Sequence, residues 1–119
     1  MTKEQVLKSL LFQIERAQGA YSLYKAEPVY LHASNIRKAN AAQIKLLSEY
    51  GGLFEGDLRR AFLELLGHLD VWMEQFHHLR DKLHPGAKTE FIFERFPGTQ
   101  PFPHQVKTLI EKELEKTEE

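Results

Sequence analysis

The chain has 119 residues, 16 basic and 17 acidic side chains, a net charge of −1 and no cysteine. The absence of cysteine removes disulfides, thiolate metal sites and cysteine nucleophiles from consideration, and a balanced, interspersed charge offers no broad footprint for nucleic acid. A chain of this length is read as one domain and buries roughly two-thirds of its unfolded surface, enough for a core without covalent staples. No apolar run approaches the ~20 residues of a membrane span, and the first 14 residues lack the cleavage pattern of a signal peptide. The cytoplasm is the expected compartment.

The first helix is expected from Thr2 to about Lys25. Thr2 is a plausible N-cap, with Gln5 the reciprocal residue three positions on. Leu7, Leu10, Ile14, Ala17, Tyr21 and Tyr24 form its apolar stripe at three/four spacing. Phe12 points away from that stripe and hints at a second contact surface. Gly19, which costs about 1 kcal/mol of helix propensity, is read as permitting a close helix crossing.

Pro28 ends this helix by biasing Glu27 toward extended dihedrals. Pro28 also suits the first turn of a second helix, with Ser34 an alternative N-cap. That helix stops at Gly51-Gly52. Its face comprises Ala33, Ile36, Ile44 and Leu47 with Asn40 in line. Asn40 is read as a register device, the alternative being that with Gln43 and Asn35 it lines a small polar pocket.

The organising stretch runs from about Phe54 to Leu83. Leu58, Phe62, Leu65, Leu69, Trp72, Phe76, Leu79 and Leu83 alternate at gaps of four and three. This places all of them on one stripe of a helix about 45 Å long. Pro85-Gly86 stops it.

Thr89 to Phe96 alternates as a strand does, and Pro97-Gly98 and Pro101-Phe102-Pro103 are turn signals. Phe91, Phe93, Phe96 and Phe102 need cover, since burying each is worth about 2–3 kcal/mol. They lie against their own bundle or against a partner. A last helix, from about Pro103 to Glu118, presents Val106, Leu109, Ile110 and Leu114.

Chemistry has few places to sit. Asp70, Glu74, His77, Asp81 and His84 form a second, polar stripe on the long helix. Imidazole and carboxylate ligate divalent transition metals, so His77, Asp81 and His84 are the candidate ligands. The helical angle, however, turns this stripe outward, as a solvated face would be. A di-iron bundle needs such motifs facing inward from several helices. His68 flanks the apolar stripe and is read as a half-buried histidine at a helix edge, with a proton-transfer group or pH sensor as the alternative. Arg80 and His84 stand one residue short of the arginine-to-histidine spacing of the HEPN helical-bundle nucleases. Arg59, Arg60, Arg37, Lys38 and Lys45 could form a small basic patch, offset by Glu49, Glu55 and Asp57. No phosphate loop or nucleophile elbow is present.

The expected fold is an all-α antiparallel bundle of three main helices and a short C-terminal helix, with an extended aromatic segment between the third and fourth. The expected function is a non-enzymatic protein–protein interaction module (an adaptor, assembly or small regulatory subunit) without a cofactor. It docks on a protein partner or on itself as a homodimer, through Phe91, Phe93, Phe96 and Phe102 with Trp72 beneath. The alternatives are a metal- or cofactor-binding bundle using the His/carboxylate residues of the third helix, and a HEPN-like RNA-acting protein using Arg80 and His84.

Overall fold

The chain is all-α in the computed structural model, which describes residues 1–93 and 102–117. Four helices follow one another: α1 (Lys3–Ala26), α2 (Tyr30–Tyr50), α3 (Gly56–Leu83) and α4 (Val106–Thr117). Among the described residues there is no strand, only one isolated antiparallel bridge between Val29 and Glu90.

The helix boundaries follow local chemistry. Thr2 and Gln5 form the expected capping box: the Gln5 N–H donates to Thr2 Oγ1 at 3.1 Å and the Thr2 N–H to Gln5 Oε1 at 2.8 Å. Glu27, before Pro28, is extended at φ −142°, ψ 96°, which ends α1 where the proline demands. α2 starts at Tyr30, not at Pro28 or Ser34, and its N-cap Val29 has no side chain able to cap it. A short 3-10 turn, Gly51–Leu53, follows α2. Gly56 then opens α3 at φ +63°, a left-handed value that glycine adopts without a Cβ penalty. His84 closes α3 in the same left-handed region, at φ 47°, ψ 57°, with Pro85 barring further helix.

α2 returns antiparallel along α1, α3 returns along α2, and α4 closes one end against α1 and α3. The 28-residue α3 is about 42 Å long in a molecule measuring 49 × 24 × 22 Å. Its apolar stripe belongs to two cores in series. The first gathers Leu58, Phe62, Leu65 and Leu69 with Leu7, Leu10 and Ile14 of α1, Leu47 of α2, and Val106 and Ile110 of α4. The second gathers Trp72, Phe76 and Leu79 with Ala33 and Ile36 of α2 and with Phe91.

Several expectations change. Leu83, the last residue of the stripe, is exposed at the end of α3. Tyr21 is exposed as well, although Ala20 and Tyr24 on either side of it pack against the second core. Val6, which the stripe omitted, is buried. Gly19 faces open space: a Cβ at this position would meet no atom within 4 Å, so the glycine serves no internal helix crossing. Gln43 is 1 % exposed and reaches across to α1. Its Nε2 donates to Gln13 O at 3.3 Å and, within α2, to Asn40 Oδ1 at 3.4 Å. The pair thus ties α2 to α1 at one register. Gln43 Oε1 is buried without a hydrogen-bond partner, and Asn35 is half-buried.

Candidate protein-docking surface

The helices leave one problem at the α1–α2 turn. With Val29 as N-cap, the first N–H groups of α2 have no side-chain acceptor. The chain solves this from a distance. Residues 86–93 leave the end of α3 and cross the α1–α2 turn as a strap. Its own turn is set by Gly86 and Thr89: the Gly86 N–H donates to Thr89 Oγ1 at 2.9 Å and the Thr89 N–H to Gly86 O at 3.1 Å. The strap then supplies the missing acceptors. The Tyr30 N–H donates to Thr89 O and the Leu31 N–H to Ala87 O, both at 2.9 Å. In return the Phe91 N–H donates to Pro28 O at 2.9 Å. Lys88 Nζ lies 3.2 Å from Glu27 Oε1, an exposed pair worth at most about 1 kcal/mol.

Side chains alternate along the strap as they do along a strand. Phe91 points inward and is fully buried, its ring 5.3 Å from both Tyr30 and Phe76. Ile92 points outward and is 51 % exposed. Phe93 is half-buried, its ring 5.5 Å from Trp72 and 6.3 Å from Tyr24. Trp72 itself is buried and stacks on Phe76 at 5.4 Å. Tyr24 pins the strap from α1, its hydroxyl donating to Phe91 O at 2.6 Å. Burial pushes the Tyr24 hydroxyl pKa above the ordinary tyrosine value, a backbone hydrogen bond from Phe93 draws it partly back, and the neighbouring Tyr21 pushes it up. Tyr21 stacks on Tyr24 at 6.4 Å and is 52 % exposed, with Lys25 Nζ 5.7 Å from its ring centre.

An aromatic tier therefore runs from the core to the surface through Phe76, Trp72, Phe93, Tyr24 and Tyr21, with Ile92 beside it. Of the four phenylalanines read as anchors, Phe91 is packed within its own chain and Phe93 stands half-buried midway along the tier. Phe102 is half-buried against the first core, its ring 5.5 Å from His68. Phe96 lies outside the described residues. Trp72 does lie beneath Phe93. Tyr21 and Ile92 were not among the expected anchors. The parity of Ile92 against Phe91 and Phe93 was the available signal for it. Other exposed large apolar side chains include Phe12 at 66 % and Leu23 at 56 % on α1 and Leu63 at 62 % on α3.

The polar candidates do not converge. His77 is half-buried with its ring 5.7 Å from Phe76, while Asp81 and His84 are exposed. Among the described residues no three His, Asp or Glu side chains gather as metal ligands would. Arg80 lies with its guanidinium 5.9 Å from the Phe76 ring centre and its Nε 3.5 Å from Asp81. His68 is half-buried at a helix edge, in the position its spacing gave it. The basic patch is divided: Arg59 Nη2 donates to Gly52 O at 2.8 Å, and Arg60 pairs with Asp57 at 3.1 Å. An open recess of about 300 Å³ between α3 and α4 is lined by Asp57, Arg60, Glu64 and Gln105. Its polar groups pair among themselves, Arg60 with Asp57 and Gln105 with Glu64. Among the described residues no helix is long and apolar enough to cross a membrane. Comparison with protein-family models, curated proteins and solved structures yields no match to this chain.

Proposed function

We propose that this chain is a non-enzymatic interaction module, an adaptor or small assembly subunit, that docks on protein through the outer side of its aromatic strap. The observation that carries this reading is the unfinished tier: Phe93 half-buried on Trp72 and Tyr24, with Ile92 and Tyr21 open beside it. Aromatic groups seated on a rigid base lose little conformational entropy on binding, and such groups dominate interface energies. Phe91 plays a different part, holding the strap in register so that Ile92 and Phe93 are presented. A second copy of the chain is the partner this reading favours. Covering these side chains in a symmetric pair hides the same apolar surface twice.

Light scattering across a concentration series tests the reading. The wild-type mass rises from the 13.9 kDa of one chain toward a dimer. Ile92→Asp, an exposed substitution that leaves the Phe91 plug in place, holds the mass at one chain. A wild-type protein that stays at one chain's mass at every concentration, and purifies from its host without a partner, contradicts the proposal.

A further inference from the structure

We infer that the strap of residues 86–93 is a latch, which opens locally while the rest of the bundle stays folded, and that docking at Ile92 and Phe93 holds it shut. The consequence for docking rests on the proposed function; the opening itself does not.

The attachments point one way. The Tyr30 and Leu31 N–H groups donate to the strap, and the Phe91 N–H and the Tyr24 hydroxyl tie it to the α1–α2 hairpin. Together with the Lys88–Glu27 pair, every one of these polar contacts lies between residues 24–31 and residues 87–91. The strap is therefore the clasp between the hairpin and the second core, to which it contributes a single fully buried side chain, Phe91. The first core receives nothing from it. Losing the strap uncaps α2 and opens the cleft among Tyr30, Ala33, Trp72 and Phe76. It leaves intact the packing of α1, α3 and α4 around Leu10 and Leu65. Segments with few buried side chains and a separate set of hydrogen bonds open below the global free energy as cooperative units. A partner that covers Ile92 and Phe93 binds only the closed form, so it shifts the latch toward closure by its affinity for that form.

Amide hydrogen exchange of the dilute protein, resolved by residue, tests the opening without a partner. Corrected for each amide's intrinsic exchange, the Tyr30, Leu31 and Phe91 amides share one rate, well above that of Leu10 and Leu65. Tyr24→Phe removes the hydroxyl that bonds Phe91 O and the Phe93 backbone, and raises the shared rate by at least roughly five- to tenfold, leaving Leu10 and Leu65 unchanged. Lys88→Ala, at an exposed site, raises it less and serves as a second variant that keeps the fold. The latch is overturned if the three amides exchange only with global unfolding, or each at its own unrelated rate. If they move together but wild-type exchange does not slow as protein concentration rises, the latch stands and the docking reading falls.

Discussion

Phe91 and Ile92 are neighbours in the chain with opposite fates, and this single contrast separates stability from association. Phe91 is the one strap side chain fully inside the second core. Phe91→Ala leaves a ring-sized cavity among Tyr30 and Phe76 and lowers the free energy of unfolding by about 3–5 kcal/mol, a large share of a domain's total. A chemical denaturation curve that shifts by less than about 1 kcal/mol would mean the ring is not buried as described. Tyr24 supplies the pH dependence. Its folded pKa is raised above the usual 10.0, chiefly by burial. The fold therefore favours the protonated hydroxyl, and that contribution is complete below pH 10 and lost as pH rises past it through the folded value. Deprotonation also removes the donor to Phe91 O. The melting temperature of the wild type should fall more steeply above about pH 10 than that of Tyr24→Phe. Parallel curves would show that the hydroxyl does not titrate in the strap.

Helix α3 shows how much the sequence reveals at the scale of an element. A period of about 3.5 sustained over Leu58 to Leu79 defines one face, and every residue of it is buried. The pattern misleads at Leu83, the last residue of the helix, which is exposed. The start of α2 was harder to read. Pro28 fits a first helical turn, but here its carbonyl accepts the Phe91 N–H while Val29 bridges Glu90, and the helix waits until Tyr30. That competitor sits far along the chain, beyond two helices, so no local rule detects it. The proposed docking site divides along the same line. The parity of Phe91, Ile92 and Phe93 is legible because strand alternation is local. Which parity faces the chain's own core was not, because it depends on the strap reaching the α1–α2 turn. His77, Asp81 and His84 illustrate the converse. Their spacing suggested ligands, while the angle between their stripe and the apolar one already turned them away from the interior.

On the scale of the whole molecule, the fold divides into a closed core at the α4 end and a clasped aromatic core at the α1–α2 turn. The proposed association surface lies at the clasped end. Phe12 on α1 and Leu63 on α3 are the rival apolar surfaces, and each is more exposed than Ile92. The strap is favoured over them because Phe93, next to Ile92, is seated on Trp72 and Tyr24, whereas Phe12 and Leu63 stand on the outer faces of single helices. The most direct measurement is the hydrogen-exchange footprint of association, taken by comparing dilute and concentrated protein segment by segment. Protection confined to residues 20–31 and 86–93 is the predicted result. Protection around Phe12 or Leu63, with residues 86–93 unchanged, would contradict it.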